Sequence, residues 1–523
     1  MKSLLSFKLF TANKRARLCL ALLYLFMPVL LLAQQTYFEK RIDFHNNYDR
    51  AQNIMPVDSG FVVAGITEDS IYYYNYHLSF IKIDSTGNVM LQKEYGHDTL
   101  NMLTGNPGAF IQYNNNFFIV GAKQIFNANW VHEDAMLIYF NANLDTLWSK
   151  YYGEKVEPYD TLFAFLQIEK TISNSLIMTG VRMPEPGPGR IWLLKTDSLG
   201  NKLWERFYGE GEEYFQGHSV VQTADGGYVI GAGKFTIGFS GTIDPLIIKT
   251  DSIGNEEWRI NPGNPNVDDH KVMVALAQDG NIIAGTNYGT EQSGDNRWAV
   301  VKIMKITPGG TVLWDNNYLE PQFDNYLLNT TVLSNGNIIV NGSSTQSGSG
   351  PYIFSYILSL DSLGNQLWYK EYTLLTSDNS FNDLYDVRET PDGGLIGVGK
   401  VHPAYPDTGT NDIWLMKMDS VGCLWAGCDT TVMVENIDNG TTGFVVYPNP
   451  AQNSMVVKLA AEPETEMVFS IFSILGIKAE ETAIPPGSKS VKINTTLLPN
   501  GVYLGVLSSK GKTTGRRKFV VRH

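Results

Sequence analysis

Nine polar side chains are the part of this 523-residue sequence best placed to do chemistry: Asp160, Gln216, His218, Asp269, His270, Asp324, Tyr326, Asp383 and Tyr385. Each falls just before, or at the start of, a short alternating run that recurs along the chain. Carboxylates next to histidine can shuttle protons or hold a cation, and Gln or Tyr can fix a ligand by hydrogen bonding. A plainer account competes, because exposed connections use Asp as a turn former with no ligand in view. No signature argues for an enzyme: the sequence lacks His-Glu-x-x-His, Gly-x-Ser-x-Gly and paired Cys-x-x-Cys. The run from Gly505 to Thr513 is one residue too long for a phosphate-binding loop and opens no helical pattern. The sequence therefore names no catalytic residue, no metal ligand set and no cofactor.

A repeat must position these residues. Its clearest copies are Lys195-Thr-Asp-Ser-Leu-Gly-Asn-Lys-Leu-Trp204, Lys249-Thr-Asp-Ser-Ile-Gly-Asn-Glu-Glu-Trp258 and Leu360-Asp-Ser-Leu-Gly-Asn-Gln-Leu-Trp368, with looser ones at Asp84, Asn141, Thr307 and Asp419. Steps between anchors are 57, 56, 54, 56, 54 and 58 residues, the mark of one unit copied in a stack or a ring. In the fourth copy the runs Ser219–Thr223, Tyr228–Gly233 and Pro245–Thr250, and a run around Trp258, read as four strands joined by turns. Four strands per unit and seven units predict an all-β, seven-bladed β-propeller over residues 34–428. The first strand of each blade is then innermost, and the nine candidates gather at the mouth of the channel.

In Asp-Ser-x-Gly-Asn the Asp and Ser side chains cap a turn, and Gly supplies the positive φ. Trp148, Trp204, Trp258, Trp314, Trp368 and Trp425, with Leu91 in the first unit, hold one repeat position. A ring in nearly every unit predicts packing between neighbouring blades, in preference to a sugar-stacking platform. The last unit breaks off into Cys423-Leu-Trp-Ala-Gly-Cys428, while Phe38-Glu-Lys-Arg-Ile42 resembles the missing fourth run. The N-terminal run is therefore expected to pair as the outer strand of the last blade, hiding an edge. Cys423 and Cys428 are expected to form a local disulfide.

Lys2, Lys8, Lys14, Arg15 and Arg17 precede an apolar run ending at Ala33, which predicts a secretory signal peptide over residues 1–33. No membrane span is expected after its removal. Residues 34–443 hold 25 basic and 48 acidic side chains, a net of −23, which argues against nucleic acid and anionic membranes as partners. Residues 429–443 carry no repeat signal and read as a linker.

Residues 444–523 are distinct: Tyr447-Pro448-Asn449-Pro450, then Leu475-Gly476, then Leu498-Pro499-Asn-Gly501-Val-Tyr503, then Lys518-Phe-Val-Val521. Strands alternating with turns over this length predict a small β-sandwich. The four phrases, in this order, resemble the type A C-terminal sorting domain of the type IX secretion system. That resemblance implies handling by the type IX machinery, export across both membranes, and release or attachment at the cell surface. The body is read as a monomeric binding module for a glycan, peptide or protein. The alternatives are a polysaccharide hydrolase or lyase with its site at the channel mouth, and a structural surface protein.

Overall fold

The computed structural model describes residues 36–521 apart from 70–74, 97–99, 128–129, 154–160, 185–186, 236–242, 265–266, 294–295, 320–322, 347–351, 376–379, 404–408, 426–427, 429–443, 449–450, 460, 474–477, 500 and 510–511. The leader, the linker and Asp160 lie outside the described residues. Every regular element described is a β-strand, and none is a helix that could cross a membrane. The chain divides into two compact units, Met1–Leu424 and Trp425–His523.

In the first unit the repeats fold as antiparallel meanders. The fourth repeat runs Tyr214–Gln222, Tyr228–Phe235, Ile243–Thr250 and Glu256–Ile260, each strand bonded to the next. The first, third, fifth and sixth repeats, from Asp49, Thr161, Met273 and Phe323, follow the same plan. The second repeat splits its first strand into Leu100–Thr104 and Phe110–Tyr113, both paired with Asn116–Asn127. The last supplies three strands, Phe381–Glu389, Leu395–His402 and Asp412–Met418. Its fourth is Phe38–Ile42, which pairs antiparallel with Asp412–Met418. First strands touch in a circuit: Asp49–Val57 meets Phe110–Tyr113, contacts pass through Thr161–Lys170, Tyr214–Gln222, Met273–Leu276 and Phe323–Val332, and Phe381–Glu389 returns to Asp49–Val57.

The Asp, Gly and Asn of the phrase close its clearest turns, and the Ser side chain expected to share the capping takes no part in the bonds described. Asp251 Oδ1 accepts from the amides of Ile253 and Asn255, Oδ2 accepts from Asn255 Nδ2, and Gly254 sits at φ +84°. The same bonds recur around Asp197 and Asp361. These turns are also where neighbouring repeats grip each other. A Cβ built on Gly200, Gly254, Gly364 or Gly422 would run into Trp148, Trp204, Trp314 or Trp368 of the preceding repeat. Tyr152, Tyr208, Tyr318 and Tyr372 donate their hydroxyls to the carbonyls of the same four glycines at 2.5–2.7 Å. Side chain and glycine thus form a lock that a methyl group would jam.

One expectation is corrected here. Trp425 does not take the repeat position, and is 64% exposed. Phe38 takes it instead: Phe38 lies opposite Lys417 as Trp204 lies opposite Lys195, and its ring packs on Gly87 of the first repeat. The N-terminal strand has displaced the chain after Cys423 from the outer edge, so Trp425 has no glycine turn to cover. Cys423, fully buried, and Cys428 are disulfide-bonded.

A second set of bonds ties the first strands together. Most of these strands carry a β-bulge, and the residue after it points sideways at the next repeat. Asn53 Oδ1 accepts from Ala109 N at 2.9 Å, Gln167 Oε1 from Val220 N, and Ser219 Oγ from Val274 N at 2.9 Å. Asp386 receives Asn329 Nδ2 at 2.9 Å and Ile54 N at 3.1 Å, joining the sixth, last and first repeats. Gly108 has no side chain, so its carbonyl accepts from Ile168 N instead. Between the fifth and sixth repeats Asn287 Oδ1 accepts from Leu327 N at 3.0 Å. Aliphatic clusters fill the space between these ties; one joins Ile54, Val63 and Ile81 of the first repeat to Ile396, Val398 and Leu415 of the last.

In the second unit, Phe444–Tyr447, Ser454–Leu459 and Ser490–Asn494 form one sheet, and Met467–Ser473, Lys478–Ile484, Gly501–Ser509 and Lys512–Val521 another. Met455, Val457, Phe469, Ile471, Leu507 and Phe519, from both sheets, share one buried cluster. Tyr503 stacks on Phe519 and donates to Pro499 O at 2.8 Å, so this part of the sorting phrase is structural. Tyr447 is exposed, Gly501 opens a strand, and Lys518 lies in the last strand. Pro448 follows Tyr447 through a cis bond. Asn449, Pro450, Leu475 and Gly476 lie outside the described residues.

Two consequences can be measured. Asp386→Ala strands the buried donors Ile54 N and Asn329 Nδ2 and should cost about 3 kcal/mol in denaturant unfolding, whereas Asp361→Ala, at an exposed turn, should cost about 1 kcal/mol. Equal losses would show that the inner ties carry no special weight. Removing residues 34–44 should lower the melting temperature by roughly 10 °C, and an unchanged melting curve would show that Phe38–Ile42 does not hold the ends together.

Candidate functional site

Gln216, Tyr326 and Asp383 occupy one register position on three repeats, two residues before the bulge, and His270 lies three residues before Met273, the first paired residue of the fifth repeat. His218 and Tyr385 are bulge residues, skipped by the pairing of their own strands. The structure divides the candidates into two groups and removes one residue from both.

The removed residue is Asp269. It is fully buried, and its oxygens accept from Gly289 N at 2.7 Å and Asn264 N at 2.6 Å. Burial pushes its carboxyl up to about 6 despite those bonds. It braces the connection into the fifth repeat, a structural duty its position before His270 did not reveal.

The first group gathers around His218. Its Nδ1 lies 3.2 Å from Asn106 Nδ2, which can only donate, so Nδ1 accepts and the ring proton sits on Nε2. Burial first, then the charges of Lys271 and His270, hold the imidazole far below its ordinary pKa, so it is neutral. Lys271 Nζ donates to Asn106 Oδ1 at 3.3 Å, and burial pushes this amine down to about 8. The His270 ring meets Tyr326 edge-on at 5.4 Å between centroids. Residues of the second, fourth, fifth and sixth repeats thus converge.

The second group is balanced within itself. Asp383 lies 3.6 Å from Lys400, whose ammonium stands over Tyr48. Burial raises the Tyr385 phenol beyond its ordinary range, with Asp383 adding to the shift and Arg50 opposing it. Gln216 and Asp324 are half-buried on their strands. Asn106 and Lys271 were not foreseen from the sequence. Asn106 comes from the Gly105–Gly108 stretch where the second repeat departs from the pattern; that departure was the available signal.

Among the described residues, one group of carboxylates could hold an ion: oxygens of Asp43, Asp49 and Asp412 come within 4.8 Å of one another. Arg41 already pairs with Asp412, and Asp49 accepts from Phe44 N at 2.8 Å, so these acids serve the N-terminal strand. A cavity of about 210 Å³ between the fifth and sixth repeats contains Lys305 and Asp279, which pair with each other at 2.7 Å.

Residues 445–522 match the family model described as a secretion system C-terminal sorting domain. No curated protein matches the chain. Among solved structures, a protein of unknown function from Dyadobacter fermentans DSM 18053 aligns at 12% identity and a TM-score of 0.42, over 61% of this chain and 98% of that one. An α-L-arabinanase of Penicillium chrysogenum complexed with arabinobiose aligns at 10% identity and 0.38, over 60% and 92%. A polysaccharide lyase described as an ulvan lyase aligns at 10% and 0.38, over 74% and 93%. The C-terminal segment is a type IX sorting domain, which marks proteins exported across the outer membrane to the cell surface or secreted.

Proposed function

We propose that this chain is an exported binding module: a seven-bladed β-propeller sent out by a C-terminal β-sandwich, with its ligand site on the inner strands around His218, His270, Lys271 and Tyr326. The circuit of contacts among first strands, and the pairing of Phe38–Ile42 with the last repeat, support a closed ring. The two sheets and shared core of residues 444–521 support the sandwich. The observation that carries the binding reading is the convergence of side chains from four repeats on one place. A single blade folding by itself would not bring Asn106 to His218 and Lys271. Hydrolysis of a glycosidic bond asks for a pair of carboxyl groups facing one substrate. Asp269, the acid next to His270, is committed to backbone amides, which favours binding over hydrolysis.

The exported chain should show saturable binding to one class on an array of glycans and extracellular polymers, with no product released. Tyr326→Ala should weaken that binding about tenfold or more, which is about 1.4 kcal/mol, with the melting curve unchanged. Product release, or full affinity in the variant, would overturn the reading. Removing residues 444–523 should leave the body inside the outer membrane, as scored by protease shaving of intact cells; surface delivery without them would contradict the assigned route.

A further inference from the structure

The buried lysines of this fold have carboxylates for company. Lys249 lies 3.0 Å from Asp225 and 2.9 Å from Glu257, Lys305 lies 2.7 Å from Asp279, and Lys417 lies 3.0 Å from Asp392. Lys271, which is half-buried, departs from that rule. Among the described residues its partner is the neutral amide oxygen of Asn106, and no acid offsets its burial. His218 is 7% exposed, and its Nε2, the nitrogen that carries the proton, has no acceptor among the described residues. The charges that act on this ring are those of Lys271 and His270, both of which repel a proton. An electropositive, half-satisfied nook thus lies inside a body whose net charge is −23.

We propose that this nook is an oxyanion subsite, built to take a carboxylate or sulfate group on the ligand. The inference rests on the binding reading above and narrows it. A partly desolvated ammonium without a counter-ion carries a cost, and an anion supplied by a ligand offsets it. The donors are set in advance. Backbone bonds from Asn106 N to Leu166 O at 2.8 Å and from Gly105 N to Val120 O at 3.1 Å pin the stretch that carries Asn106. The Asn106 amide spends its nitrogen on His218, at Nδ1 and at the carbonyl, which turns Oδ1 to Lys271. Two of the three ammonium protons and the His218 Nε2 proton are left to an incoming oxygen pair. Gly233 lies beside that nitrogen, since a Cβ there would stand 3.6 Å from Nε2, in van der Waals contact.

The test is calorimetric titration of the full exported chain with sodium sulfate and with D-galacturonate, using D-galactose as the neutral control and chloride to hold ionic strength. At least one oxyanion should bind saturably and galactose should not. The arm that binds distinguishes sulfate from carboxylate. Lys271→Met should weaken binding at least tenfold, and Lys271→Arg should keep it within about threefold. If Lys271→Met does not fold, Gly233→Val, which crowds His218 and keeps every charge, should give the same loss. Oxyanions binding no better than galactose, or binding undiminished in the variants, would overturn the subsite. If the oxyanions fail while an array ligand still depends on Tyr326, the binding module stands and the subsite falls. If the array ligand ignores Tyr326 and Lys271 alike, both readings of this place fall.

Discussion

The first unit depends on a polar residue placed just after a bulge. Each bulge adds a residue to a first strand, so the side chain that follows leaves the plane of its own sheet and reaches the next repeat. Asn53, Gln167, Ser219, Asn329 and Asp386 all use that position, and Asp386 bonds both the preceding repeat and the first. A single such bond is worth about 1 kcal/mol net, but breaking one inside strands a buried donor and costs more. The ties are therefore worth most where several meet, at Asp386. They also fix where the bulge residues His218 and Tyr385 point, so the same bonds that join the repeats position the candidate site.

The outer edge is held differently. There a glycine turn receives a tryptophan and a tyrosine hydroxyl from the repeat before it, and the absence of a Cβ is the enabling feature. The two systems divide the work: polar ties set the angle between inner strands, and aromatic locks exclude water at the rim. The N-terminal strand enters both. Its Phe38 covers Gly87, while Arg41 pairs with Asp412 at the start of the strand it lies against.

The repeat, the four strands per copy, the turn bonds and the sorting phrases were all legible in the sequence, because each rests on local chemistry at a fixed spacing. Trp425 was misread because spacing keeps counting after the chain has left its edge, and only pairing shows that Phe38 has taken the place. The candidate site was half legible. Bulges shift the alternation by one residue, so the sequence set His218 beside His270 although His218 is skipped by the pairing of its strand and His270 precedes the paired residues of its repeat. Asp269 was read as a candidate ligand contact, because its bonds to Asn264 and Gly289 run through backbone amides that no side-chain pattern records. Asn106 and Lys271 could not be paired in advance, because 165 residues separate them.

The central claim is that the inner ties close the first unit on itself, with Asp386 bonding the amide of Ile54 across the chain's ends. Native-state hydrogen exchange at the Ile54 amide tests it most directly. The account predicts exchange only through global unfolding, as slow as at the fully paired amides of Val62 and Ile396. Exchange at Ile54 as fast as at the exposed turn amides of Ile253 and Leu363, with Val62 still protected, would show that the circuit opens between its last and first repeats and would contradict the account.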